Sequence, residues 1–369
     1  MKNKRVPEIE IMKAISIIAM IFVHVYERSY NMSFPHGLEV GVPFVIAYII
    51  EFIGSSATGV FMFTMGWGAY FSKKATPAFL VKRASHLALL GLLVNVFTQY
   101  IIRLIDPVGY GELKDNIPAI LAVDIYFYAA LVMLFFALIK KLSSNIRLAF
   151  LVSLGVVVIT QLVVQILGAE SFSTGNVWCD TLIGLFIRLN DYSYFPYFSW
   201  GLFAIVGYWI GYYYEKTDVK KYNLILLIFG IIAVIVPTII LKETGARNIA
   251  MNPMSLVEGK DFYSPDIWNT LCYLGLVAVY IVISSGVMYL LKQELPQWIS
   301  FLSRSVMTVY ISQWILNVLL NPIILKINSI WGVIIMASIV LALTVVISLL
   351  RNKLVMALKD STGGTKSNG

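Results

Sequence analysis

Charged side chains are scarce in this sequence: 13% of its 369 residues, where a soluble domain carries about a quarter. Hydrophobic residues make up 59%, and the mean hydropathy is +0.81. A chain so composed has too little polar surface to face water on all sides, which excludes an ordinary soluble enzyme. Cysteine is nearly absent. Cys179 and Cys272 are too few for a disulfide framework or a cysteine metal site, so two free thiols are expected, with a single bridge as the alternative. Soluble-enzyme motifs are missing too: there is no phosphate-binding glycine loop, G-x-S-x-G elbow, H-E-x-x-H or paired-cysteine spacing, and no metal is expected. The net charge of +8 does not indicate a nucleic-acid partner, because the lysines and arginines lie in short clusters between apolar runs.

Those apolar runs fill the sequence. Crossing a bilayer takes about 20 mostly apolar residues, and ten runs qualify: 9–26, 54–72, 86–104, 117–139, 148–167, 195–214, 222–241, 268–291, 299–320 and 329–350. Two shorter ones, 42–53 and 181–189, are expected as interfacial or re-entrant helices, and an eleventh span built from one of them is the alternative. The expected fold class is all-α, a polytopic helical membrane protein of about ten transmembrane helices. A single unit over residues 1–355 would precede a polar, disordered cytoplasmic tail at 356–369. The basic start at Lys2, Lys4 and Arg5 ahead of apolar residues 11–25 looks like a secretory signal. Tyr26-Glu27-Arg28-Ser29-Tyr30 offers no small-residue cleavage site, so an uncleaved first span is expected.

Orientation follows from the loop cations. With the N-terminus inside, eighteen Lys and Arg fall on the cytoplasmic side, among them Lys73, Lys74, Lys82 and Arg83, against eight outside. Both termini are therefore expected in the cytoplasm. The longer loops, 28–41, 103–116, 168–194 and 242–266, fall on the outer side, where they would roof a cavity.

Ionisable groups at membrane depth are costly and point to function. Lys13 and His24 are eleven positions apart, close to three helical turns, so they share one face roughly 16 Å apart along the axis. Glu10 and Glu27 flank that stripe. The bland alternatives are a histidine bonded to a neighbouring carbonyl and a lysine that reaches the inner headgroups. Glu51 precedes a break at Gly54–Gly59. Asp124 opens a span near the outer side, where it either meets His24 or caps its own helix. Tyr310 and Gln313 lie inside the ninth span, His36 and Arg188 in outer loops, and His86 near the inner interface beside Arg83. The aromatics from Tyr192 to Trp200 fit an interfacial belt or a sugar-stacking surface. Gly201, Gly207 and Gly211 allow close helix packing.

Glu10-Ile11-Met12-Lys13, followed by His24, resembles the opening of membrane acyltransferases, in which Asp-x-x-Arg precedes a histidine at the same spacing. The stretch from Gly59 through Gly66 to Tyr70 resembles their second span, and Phe79-Leu80-Val81-Lys82-Arg83 the basic entry to their third. Phe195 to Gly201 and Phe301 to Gln313 are similar to later segments of bacterial members. The chain thus resembles the superfamily joining acyltransferase type 3 proteins with the heparan-α-glucosaminide N-acetyltransferase group. Glu10 and Lys13 stand where those proteins carry Asp and Arg; charge is kept, but an ammonium lacks the bidentate guanidinium fork.

The resemblance implies a multi-pass plasma-membrane enzyme moving an acyl group, usually acetyl, from cytoplasmic acyl-CoA to a hydroxyl or amine of an extracytoplasmic glycan in the cell envelope. His24 would be catalytic as base or nucleophile, with Asp124 and Glu51 beside it. Lys13, Glu10, Lys73, Lys74, Lys82 and Arg83 would hold the acyl-CoA co-substrate. Arg188, Trp200, Tyr310, Gln313 and His36 would meet the acceptor, and a homodimer is the candidate assembly. The rival class is a transporter or flippase for a polar or lipid-linked substrate. It has no need of an inner basic cluster aligned with the Lys13/His24 stripe.

Overall fold

The computed structural model describes residues 6–33, 41–72, 75–105, 117–143, 145–190, 192–251 and 262–362, and among them there are helices and no strands. Ten helices are at least 18 residues long: α1 (Pro7–Ser33), α2 (Val42–Phe71), α3 (Pro77–Ile105), α4 (Ile125–Leu142), α5 (Ile146–Leu167), α6 (Tyr197–Lys216), α7 (Val219–Glu243), α8 (Ile267–Leu290), α9 (Gln297–Leu319) and α10 (Ile330–Thr362). All but α6 and α9 are long and apolar enough to cross a membrane. Those two have the length but carry their polar groups inward: Ser199 and Trp200 on α6, and Ser305, Ser312, Gln313 and Asn317 on α9, are buried in the bundle. The chain is a polytopic helical membrane protein.

Four local expectations change. Residues 42–53 form the first turns of a continuous 30-residue α2, not a separate interfacial helix, so no eleventh span arises there. The run 117–139 is broken: a one-turn helix, Ile117–Ile120, is followed by non-helical backbone, and α4 begins only at Ile125. The run 181–189 is helical only as the end of Val177–Ile183 and then turns. At the C-terminus α10 continues to Thr362, into the residues expected to begin a disordered tail. Cys179 is exposed, Cys272 is buried, and both are free thiols.

α1 is the hub. It packs against α2, α8, α9 and α10, and 72% of its apolar stretch is buried, against 17% for α5. Its apolar positions are buried between these neighbours, and Met12, Ile17, Ile21 and Val25 are fully covered. α5, α7 and α10 sit at the periphery, exposing Leu148, Leu151, Ile231, Ile235, Ile335 and Ile339 to what is lipid in a membrane. Side-chain caps set several helix starts: Asp124 accepts from Tyr126 N, Asn145 from Leu148 N, and Asp266 from Asn269 N. On the outer side, Ser173 and Thr174 donate to Asp180, holding its carboxyl below the usual range and closing the turn before Val177–Ile183.

Candidate active site

Because α1 is held on nearly every side, the residues near its outer end have fixed positions. There His24 lines a cavity of about 300 Å³. Its Nδ1 lies 3.2 Å from Oε2 of Glu27, one turn further along the same helix face. An Nδ1 proton directed at a carboxylate leaves Nε2 as the basic nitrogen. Nε2 is buried and has no hydrogen-bond partner. The carbonyl-bonded histidine of the bland alternative is therefore not what the fold builds. Trp314 covers the imidazole at 5.0 Å between ring centroids, and the Arg28 guanidinium lies 5.3 Å from the Trp314 ring.

The opposite wall comes from the break before α4. Val123 N donates to Tyr192 O and Phe195 N to Val123 O, tying the break to the outer loop. The Asn95 amide of α3 donates to the carbonyls of Ile120 and Ala122, both freed by the break. This places Asp124 on the cavity wall, where its carboxylate caps α4 through Tyr126 N at 2.8 Å. Asn95→Leu strips the Ile120 carbonyl of its donor and leaves Ala122 O with only the Asp124 N–H, and unfolding measured in detergent should show a loss of about 2 kcal/mol. Phe195, Phe262, Tyr194 and Tyr263 form the aromatic roof. Arg188 stacks over Tyr263 at 5.2 Å, outside the cavity lining, and Trp200 supports the roof from below by donating Nε1–H to Tyr263 O.

A second cavity, of about 410 Å³, opens at the other end of α1. Lys13, Arg83 and Arg304 line it, with apolar walls from Phe61, Leu80 and Met133. Gly68 packs beside the Lys13 ammonium, where a Cβ would make an ordinary contact 3.9 Å from Nζ. Tyr310 lines both cavities. Its ring meets Tyr126 edge-on at 5.2 Å, and the Tyr126 hydroxyl donates to Met307 O. The Tyr310 ring of α9, packed on Tyr126 of α4, thus stands between the two spaces.

The structure brings His24 and Asp124 to one chamber, Lys13 and Arg83 to the other, and Tyr310 to their junction. It places the remaining candidates elsewhere. Glu51 is buried one turn before the cavity-lining Gly54 and Ser55, and neither carboxylate oxygen has a partner. Glu27, not Glu51 or Asp124, holds the imidazole. Glu10 is buried and accepts from Ser300 Oγ at the α1/α9 contact, outside the inner cavity lining. Lys82 and His86 are exposed and line neither cavity. Trp200 is fully buried as a structural ring, and Gln313 is fully buried on α9 outside both linings, its amide unpartnered. Lys73, Lys74 and His36 lie outside the described residues. Two residues join the candidates: Glu27, which flanks the stripe in sequence and pairs with His24 three residues before it, and Arg304, signalled only by its place inside an otherwise apolar run.

The bundle thus holds an imidazole–carboxylate pair on the wall of one chamber and three cations on the wall of another. The acyltransferase domain model matches residues 6–350, and the chain belongs to the type 3 membrane acyltransferase family. A search of the curated proteins returned no match.

Proposed function

We propose that this acyltransferase takes its acyl group from cytoplasmic acyl-CoA, acetyl-CoA first among them. It passes that group to a hydroxyl or amine of an extracytoplasmic cell-envelope glycan at the plasma membrane. The observation that carries the reading is the pair of cavities at opposite ends of α1 that share Tyr310 in their linings. The loop cations orient the Lys13 end toward the cytoplasm. Lys13, Arg83 and Arg304 suit the polyanionic nucleotide end of CoA. The apolar walls beyond them suit an extended pantetheine arm, which carries the thioester toward Tyr310.

In the outer chamber the acceptor O–H gives its proton to His24 Nε2 as the oxygen attacks the thioester carbonyl. The C–S bond then breaks, and the departing thiolate takes that proton to leave as the free CoA thiol. Glu27 favours the imidazolium formed in between, and Trp314 keeps the ring in place. In the covalent variant Nε2 itself attacks the thioester carbonyl, the C–S bond breaks and CoA thiolate leaves; the acceptor oxygen then attacks the acyl-imidazole, freeing Nε2 as its proton passes to the thiolate.

The test is thermal unfolding of the detergent-purified protein with acetyl-CoA and with ADP, paired with mass spectrometry of envelope glycans from cells with and without the protein. Acetyl-CoA should raise the midpoint, ADP alone should not, and acetylated glycans should vanish with the protein. No shift at millimolar acetyl-CoA would favour the transporter reading. Arg83→Ala and Arg304→Ala remove charges that contact the donor equally in the ground and transition states. Each should raise the acetyl-CoA KM about tenfold with kcat nearly unchanged.

A further inference from the structure

Away from both cavities, a shallow surface groove of about 610 Å³ lies where α5 begins and α6 ends, at the face the basic loops assign to the cytoplasm. Two cations converge there on one neutral oxygen. Arg147 Nη1 donates to the Tyr212 hydroxyl at 3.2 Å, and Lys216 Nζ donates to the same hydroxyl at 2.9 Å. Both also stand over the Tyr212 ring, Lys216 at 4.2 Å and Arg147 at 5.8 Å from its centroid. No ion pair joins either cation to a carboxylate among the described residues. Two like charges held this close repel each other, and an anion bridging them removes the penalty.

The groove has a second property that selects the anion. Below the cations its walls are Leu148, Leu151, Trp209 and Tyr213, and Leu148, Leu151 and Tyr213 are about half exposed on the outer surface of the bundle. That surface is the one lipid covers. A soluble phosphate would gain nothing from it, whereas a headgroup at the cations would lay its chains along it. α5 also has little else to hold it, because it is the least buried of the eight apolar helices and packs mainly on α6.

We propose that this groove binds the phosphodiester of an anionic inner-leaflet phospholipid, which bridges Arg147 and Lys216 and clamps α5 to α6. Basic pockets between helices on the cytoplasmic side take such headgroups, and each cation at a membrane surface strengthens binding severalfold. The claim concerns lipid alone and is independent of the acyl donor.

Native mass spectrometry in detergent, titrated with phosphatidylglycerol or phosphatidylcholine, reads the site directly. A parallel thermal-unfolding series adds inorganic phosphate. Arg147→Gln with Lys216→Gln should weaken phosphatidylglycerol binding about 30-fold. It should also abolish the lipid-induced rise in unfolding temperature, while the lipid-free protein keeps its circular dichroism. Lys220→Gln with Lys221→Gln, the same loss of charge on the next helix, should leave binding unchanged. Equal binding of phosphatidylcholine, equal loss in both double variants, or retention in the first would overturn the proposal. So would inorganic phosphate reproducing the full thermal shift, since the ligand would then be a soluble anion.

Discussion

His24→Ala should lower acyl transfer about a thousandfold while leaving the protein folded and able to bind acetyl-CoA. The size follows from the imidazole's position. Its ring lines the outer chamber and its buried Nε2 has no partner, so no other group takes over its proton transfer. Retention of the fold follows from its burial: His24 is 20% exposed, and its one side-chain hydrogen bond is to Glu27 on the same helix. Glu27→Gln should cost about a hundredfold, because an amide can still orient the ring but cannot favour the imidazolium. The measurement is glycan acylation in cells carrying each variant at matched expression, beside acetyl-CoA-dependent thermal shift of the purified proteins. A folded His24→Ala protein that binds acetyl-CoA and still transfers at the parent rate would remove His24 from the chemistry in either version. Intact-protein mass spectrometry with acetyl-CoA and no acceptor separates the two versions. Only the covalent one leaves an acetyl group on His24.

What could be read from residues alone was governed by the bilayer. Lipid demands about 20 apolar residues per helix, so the cores of α3, α5, α7, α8 and α10 stood out as long unbroken runs. The same rule misled at α2. The expected break at Gly54–Gly59 is helical and buried, with Gly54 pressed against Val23 of α1. Hydropathy scores a polar residue as facing away from lipid without saying whether it meets a cavity or another helix. Asp124 and Gln313 looked alike by that measure. Asp124 reached the chamber because four backbone-to-loop and side-chain bonds hold the break open around it, a long-range arrangement invisible in a window of residues. Trp200 suffered the converse error, since an aromatic near an interface is as often a buttress as a binding surface. The Lys13/His24 stripe was legible because α-helical periodicity alone sets it. Its division into two chambers was not, because Tyr126 and Tyr310 come from α4 and α9, far apart in the chain.

Gly66→Ala should be the most damaging single methyl in the molecule, lowering stability by about 3 kcal/mol or more and abolishing activity with it. α2 and α6 cross so closely that a Cβ on Gly66 would overlap the carbonyl oxygen of Ala204. From the other side, a Cβ on Gly207 would overlap the carbonyl of Phe63. These are backbone atoms, so no side chain can rotate away and one whole helix must move. Gly207 and Gly211 form the G-x-x-x-G spacing that permits such an approach. Around the crossing, Phe63, Trp67 and Phe203 are packed to within 1% of full burial, and separating the helices unpacks all three. The consequence reaches function because α2 lines both chambers, through Ser55 and Thr58 at one end and Thr64 and Gly68 at the other. Size-exclusion recovery and the unfolding midpoint in detergent measure the effect. Gly155→Ala and Gly286→Ala supply the contrast, since a Cβ at either meets nothing within 4 Å. In a helix interior those two changes should be neutral or add up to about 1 kcal/mol. If Gly66→Ala is recovered and unfolds like Gly155→Ala, the close crossing of α2 and α6 is not what holds the two chambers in register.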